Sequence, residues 1–447
     1  MKIELSGHYG YLRIMKTMMP MMAMMIITSV YTVVDGFFIS NFAGNTAFAA
    51  MNIIWPAISI LSALGLMIGT GGSALVSKAF GEGDEEKACR TFTMLVRFCL
   101  MMGSMLAAIT FIFMKPLAIW LGAEGEMIRH AVTYGRIVIV SLPFYMLQMA
   151  FQSFYMTAEK PQLGTVMSIV SGCINIALDA LFVVGFGWGL TGAAIATTAS
   201  LLVGGVYPLL FFASRRNTTH LHFSRTWTEW PLIAKSCTNG MSEFVQSIAL
   251  SVVSICYNIQ LMRYIGENGV SAYGVTMYVV FIFVSIYIGY NIGISQIIAY
   301  NYGARNKYEL RSLFRKSMVI ITLGSASVVA LSEMLAYPMA RVFVGFDADL
   351  TDLTVKAIRC YMISFAFCGF NMFCSAWFTA FGNGVVSAVS AFVRTLVFEL
   401  TAVMVLPPLM GIDAIWYSVD VAEILDLALT FGLFLYFNKR YLADEQM

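Results

Sequence analysis

Twelve apolar stretches, each about long enough to cross a bilayer and each bounded by charge, glycine or proline, take up most of this sequence. They fall at roughly 14–39, 50–77, 92–114, 131–156, 163–186, 189–213, 232–262, 271–300, 313–336, 355–380, 385–406 and 412–436. Apolar side chains make up 59% of the residues and charged ones only 12%, about half the charged share of a soluble domain, so a soluble fold is excluded. Within a bilayer every backbone polar group must be satisfied inside the chain, which leaves helices or a closed barrel. The alternating ten-residue segments of a barrel are absent, so an all-α polytopic membrane protein is expected. The first apolar run continues past Pro20 to Ser40 without a small-residue cleavage site, and reads as a retained span.

A net charge of +2 gives no basic field for a nucleic acid, and none is expected as a partner. The eight cysteines stand singly, without metal-ligand spacing, and read as reduced, packed thiols. His220 and His222, in the polar stretch from Arg215 to Pro231, read as solvated linker residues. That stretch is the longest polar connection, lies near the middle of the chain, and divides it into lobes at 1–222 and 223–447. With the N-terminus in the cytoplasm, nineteen lysines and arginines fall on inner segments and seven on outer ones, with Arg394 inside a span. The positive-inside rule therefore places both termini in the cytoplasm of a cell whose inner membrane holds the chain.

The two halves repeat. Gly44/Gly266, Gly71/Gly293, Gly81/Gly303, Pro116/Pro338, Thr157/Thr379 and Gly189/Gly411 share one offset of 222 positions, at span ends and bends. Six spans per half is an even number, so both halves enter from the same side. They are expected to form two six-helix bundles related by a pseudo-two-fold along the membrane normal, with a cleft between them.

Ionisable groups inside spans are expensive and mark function by default. Asp35 lies about 28 Å along the first span from Lys16, and Asp179 about 28 Å along the fifth from Lys160, so both belong to the outer half. Asn175 precedes Asp179 by one helical turn and shares its face, Tyr31 stands one turn before Asp35, and Thr197 lies at a compatible depth in the sixth span. Carboxylate, amide and hydroxyl oxygens suit a hard cation such as Na⁺, while two carboxylates in a low-dielectric pocket resist ionising together, so that one can carry a proton. The alternative is that Asp35 caps a helix and Asp179 sits near headgroups. The repeat maps Asp35, Asn175, Asp179 and Thr197 onto Tyr257, Val397, Thr401 and Val419, so the second half does not keep this set. It carries Glu243, Glu333, Arg394, Glu399, Asp420, Glu423 and Asp426 instead. Arg394 and Glu423 each come close to mid-membrane as a candidate buried pair, structural or substrate-reading.

Seven methionines crowd around Pro20, as lipid-facing filler or as the soft lining of an adaptable pocket, and Pro20 implies a bend or hinge in the first span. No GxxxxGK[ST] motif is present, so ATP is not an on-chain energy source. Asp347, Asp349 and Asp352 are too sparse for a Mg²⁺-diphosphate enzyme site, and the unequal charges of the two halves argue against a channel ring.

Pro20 followed by YTVVDGFFISNFAG at Tyr31 to Gly44, NIALD at Asn175 to Asp179 and GAAIAT at Gly192 to Thr197, within two six-span halves, resembles the multidrug and toxic compound extrusion (MATE) family over essentially the whole chain. The resemblance implies antiport: small organic, cationic or amphipathic compounds leave in exchange for Na⁺ or H⁺, with no cofactor beyond the coupling cation and a monomer as the working unit. It places the family's cation pattern on Asp35, Asn175, Asp179 and Thr197. Asn371 stands where some members have an acidic residue in the tenth span, and Glu243 matches an acidic position some have in the seventh. A lipid-linked saccharide flippase of the same superfamily is the alternative, but it would carry several cationic cleft side chains where this chain offers Arg394 alone.

Overall fold

The computed structural model describes residues 4–214, 217–345 and 347–442. Lys2, Arg215 and Arg216 of the basic count lie outside these. The N-terminal lobe comprises α1 (Tyr11–Phe42), α2 (Asn45–Gly81), α3 (Glu85–Ile112), a short α4 (Met114–Trp120), α5 (Glu126–Ile139), α6 (Leu142–Thr157), α7 (Pro161–Asp179) and α8 (Gly189–Ala213). After an extended linker come α9 (Trp230–Asn239), α10 (Met241–Tyr264), α11 (Glu267–Gly303), α12 (Lys307–Val344), α13 (Ala348–Ile363), α14 (Phe365–Ala380), α15 (Gly384–Phe392), α16 (Leu400–Met410) and α17 (Ser418–Leu442). Among the described residues nine helices are long and apolar enough to span a bilayer, and two bent pairs supply one span each. With α17 these make twelve, six per lobe.

Three spans differ from the uninterrupted helices that hydropathy suggests. The fourth bends by 58° between α5 and α6, and the tenth by 44° between α13 and α14. In the fourth, the break falls at Pro143 in the first turn of α6, a position where the missing backbone N–H costs no helical hydrogen bond. The seventh stretch divides at Gly240 into α9 and α10. Gly240 cannot carry a side chain, since a Cβ there would lie 1.9 Å from the Met67 carbonyl oxygen of the other lobe.

The lobes meet on the face bearing most of the lysines and arginines. A Cβ on Gly81 would lie 2.0 Å from the Tyr300 carbonyl, and one on Gly303 would lie 2.1 Å from that of Lys78. Lys78 and Tyr300 are themselves related by the 222-residue offset, so the two glycines make the same contact in mirror roles across the pseudo-two-fold. The second glycine pair behaves likewise, with Gly71 against Ser236 and Gly240 of the C-terminal lobe and Gly293 against Met18 of α1. Gly289 packs on the backbone of Met21 and Met22. Small residues thus let backbones approach where no hydrophobic driving force exists between helices in lipid. Polar clasps reinforce the seam: Ser77 and Thr157 hydroxyls donate to Gln296 Oε1 at 3.0 and 3.3 Å, and Asn239 Nδ2 donates to the Gly71 carbonyl at 3.1 Å. Toward the opposite face, Gly36, Gly44, Gly266 and Gly274 have no atom within 4 Å of a notional Cβ.

The methionines around Pro20 serve this seam. Met18, Met21 and Met24 are buried, Met18 and Met21 against the α11 glycines, while Met19 faces outward. Gly303→Val should therefore overpack the seam at a cost of about 1–3 kcal/mol and lower the thermal midpoint, whereas Gly274→Ala should leave it unchanged. Melting curves of both variants in detergent check this.

Candidate cation site and central cleft

Asp35 sits on α1, which continues to Phe42, so it is not a helix cap. Asp179 is the last residue of α7, where the helix passes into a π turn at Ala180–Gly185. Such wide turns rotate side chains out of the regular register and recur at functional sites. The Asp179 side chain is fully buried within the bundle. The two carboxylates are neighbours, with Asn175 alongside Asp35. Tyr31, Asp35, Asn175 and Thr197 line one cavity, together with Thr28, Trp55, Tyr145 and Ser200.

The group keeps unspent hydrogen-bonding capacity among the described residues, as Asp420 and Asp426 of the C-terminal lobe also do. Both Asp179 oxygens, Asp35 Oδ1 and Thr197 Oγ1 are buried without a hydrogen-bonding partner. A bare buried carboxylate is costly, and two side by side cannot both remain charged unless a cation or proton joins them. The oxygens present, two carboxylates with an amide and hydroxyls, fit Na⁺, and the carboxylate pair equally fits a shared proton.

Sequence reasoning missed Tyr134. Its hydroxyl, on α5, is fully buried without a partner and adjoins Asp35, Asp179 and Thr197. The visible signal was a lone hydroxyl on the buried Ala131, Tyr134, Val138 stripe of α5. Pro20 lies within a continuous α1, and the Thr165 hydroxyl donates to its carbonyl at 2.7 Å.

In the C-terminal lobe Arg394 lies in a second π turn, Val393–Glu399. Its Nε and Nη2 donate to Glu423 Oε1 at 2.9 and 2.6 Å, and Asn371 Nδ2 donates to Oε2 of the same carboxylate at 2.7 Å. Glu423 is therefore satisfied on both oxygens. Arg394 and Glu243 share a cleft with Thr70, Gln246, Asn291 and Ser295. Glu399 and Asp420 stand apart from that cleft, facing the buried Tyr257, and both Asp420 oxygens lack partners.

Two six-helix bundles around a cleft, with ionisable groups held inside the spans, define a polytopic membrane transporter rather than an enzyme. The MatE family model matches the chain twice, over residues 20–181 and 244–404, in near register with the internal repeat. The chain belongs to the MatE family. It is 23% identical over 427 residues to the multidrug export protein MepA of Staphylococcus haemolyticus, covering 95% of this chain and 94% of that one. A crystal structure of MATE in complex with MaL6 superposes with a TM-score of 0.91 at 20% identity over 98% of both chains. An outward-facing multidrug resistance MATE transporter of the MOP superfamily also gives 0.91, at 21% identity over 98% of this chain and 97% of that one.

If Asp35 and Asp179 hold a cation, the bound state gains stability by linkage, about 2.7 kcal/mol at a hundred times the dissociation constant. Thermal midpoints should rise with Na⁺ or with falling pH in the wild type. In Asp179→Asn the rise should disappear while the fold is retained.

Proposed function

We propose that the chain exports small organic compounds from the cytoplasm, multidrug substrates in the manner of MepA, in exchange for Na⁺ or H⁺ by alternating access. The observation that carries this reading is the buried Asp35–Asp179 pair with its unpartnered oxygens. Asn175, Thr197, Tyr31 and Tyr134 complete the cation site. The basic face is cytoplasmic, and both termini lie there. The lobes then meet on the cytoplasmic side, as expected of an outward-facing state. Nothing in the reading requires more than one chain, because both halves of the gate belong to a monomer.

The central cleft supports cationic or amphipathic cargo. Its one arginine is neutralised by Glu423, so Glu243 sets the sign of the remaining charge, with the amides and hydroxyls of Gln246, Asn291 and Ser295 beside it. A saccharide–diphosphate cargo would need unpaired cations that these lining residues do not offer.

The mechanical link is α1. Its outer half carries Tyr31 and Asp35, while its inner half supplies Met18, Met21 and Met22 to the interlobe seam. Cation binding that pulls Asp35 toward Asp179 would move a helix whose other end helps keep the cytoplasmic side shut. Pro20 lies within the seam-contacting stretch, between Met18 and Met21, and lacks the backbone N–H that would stiffen that turn, so it is the place for α1 to bend.

In proteoliposomes with an imposed Na⁺ or pH gradient, cationic dye efflux should collapse by tenfold or more in Asp35→Asn and in Asp179→Asn, with yield and folding retained. Unchanged efflux in both variants would refute the site.

A further inference from the structure

The chain ahead of α1 joins the two lobes across the cytoplasmic face, although neither hydropathy nor the repeat gives it a role. Leu5 and Tyr9 are buried, at 2% and 0% exposure. On the N-terminal lobe, the Leu5 backbone N–H donates to Glu159 Oε1 at 2.8 Å. Glu159 lies in the turn between α6 and α7 and adopts a positive φ of 58°, a conformation few non-glycine residues take. On the C-terminal lobe, the Tyr9 N–H donates to Glu309 Oε1 at 2.9 Å, and His8 Nδ1 contacts Glu309 Oε2 at 2.7 Å. Glu309 belongs to the first turn of α12 and is 3% exposed. The Lys316 ammonium, two turns along α12, donates to the Tyr9 carbonyl.

The segment is also braced within itself. The Tyr9 hydroxyl donates to the Glu4 carbonyl at 2.7 Å, and Arg13 donates to the His8 carbonyl at 3.0 Å while its guanidinium covers the Tyr9 ring. A strap made rigid in this way transmits force between its two anchors. Had it been a loose tail, either lobe could move without the other.

We propose that residues 4–10 form a strap that locks the cytoplasmic gate, with Glu159 and Glu309 as its two anchors, and that one anchor must release before the transporter can face inward. The inference rests on the alternating-access reading above. Opening the cytoplasmic seam separates α6–α7 from α12, and a segment of this length held at both ends cannot follow both. Hydrogen bonds to charged acceptors are among the stronger ones, so their loss should move the gate equilibrium measurably.

The anchors act in series, which gives the strap a signature that a purely structural contact lacks. Losing Glu159 already breaks the bridge, whatever Glu309 and Lys316 still hold, so a second cut at Glu309 should add nothing. The test is hydrogen–deuterium exchange of the full-length protein in nanodiscs, comparing wild type, Glu159→Ala, Glu309→Ala and the double variant, since alanine removes the acceptor oxygen that glutamine would keep. Each single variant should raise exchange roughly tenfold at the cytoplasmic ends of α2 and α11, around 74–84 and 296–306, and lower it at the outer mouth. The double variant should match the stronger single one. Glu159 sits in a turn between helices, so its variant retains the fold even if Glu309→Ala is impaired.

Exchange that changes only within residues 4–10, or double-variant effects that are additive, would overturn the strap. In wild type, Na⁺, falling pH or a cationic dye should shift inner and outer exchange in opposite directions. If none does, the alternating-access reading fails. If one does while both variants match the wild type, the strap alone fails.

Discussion

Asp35 and Asp179, side by side with three of their four oxygens buried and unpartnered among the described residues, form the constraint on which the rest of the structure turns. Asp35 and Asp179 are brought together from the first and fifth spans, and the surroundings give Asp179 no hydrogen bond on either oxygen. A low-dielectric bundle does not tolerate that arrangement unless a proton or a cation neutralises one of the two charges. The seam glycines, the π turn and the length of α1 matter because they connect this local frustration to the position of a whole lobe. A ligand can drive such a change only through its different affinity for the two states, and the pair supplies a group whose environment a moving α1 alters.

The second lobe meets the same physics differently. Where the repeat puts Tyr257 in place of Asp35, the C-terminal lobe gathers its charge on the eleventh and twelfth spans. There Arg394 and Asn371 between them satisfy both oxygens of Glu423. A fully satisfied buried pair is rigid, and loss of either partner would leave an uncompensated charge. The N-terminal lobe thus pairs two carboxylates with unpartnered oxygens, while the C-terminal lobe combines a closed ionic contact with the unpartnered Asp420 and Asp426, on scaffolds whose interlobe contacts still obey the two-fold.

Much of this was legible in the sequence. Apolar run length gave the span count, and the offset of 222 gave the duplication. The structure then extends that offset to atomic contacts, since Gly81 with Tyr300 and Gly303 with Lys78 exchange roles under it. Intramembrane cost singled out Asp35 and Asp179, and helical spacing added Asn175. Breaks within spans were not legible, because hydropathy averages over a bend such as the one ahead of Pro143. Tyr134 escaped because a tyrosine in an apolar span is unremarkable until its hydroxyl is seen to face two carboxylates. The methionine cluster was legible in part: Met15 and Met22 line an apolar cavity and Met19 faces outward, while the packing of Met18 and Met21 on glycine was not, since hydropathy does not distinguish a helix face packed on glycine from one packed on lipid. The strap escaped for the opposite reason: residues 4–10 are polar and terminal, and only tertiary contacts to Glu159 and Glu309 reveal them.

The central claim is that cation occupancy at Asp35 and Asp179 opposes substrate occupancy of the cleft. It is tested most directly by titrating substrate binding with a fluorescent organic cation at increasing Na⁺ and, separately, at falling pH, in the wild type and in Asp179→Asn. Linkage requires the coupling to be reciprocal and of the usual size, a weakening of about 5- to 150-fold. The account predicts that weakening with at least one of the two cations in the wild type and its loss in Asp179→Asn. A wild-type affinity that neither cation changes, or a variant that keeps the full cation dependence, would contradict it.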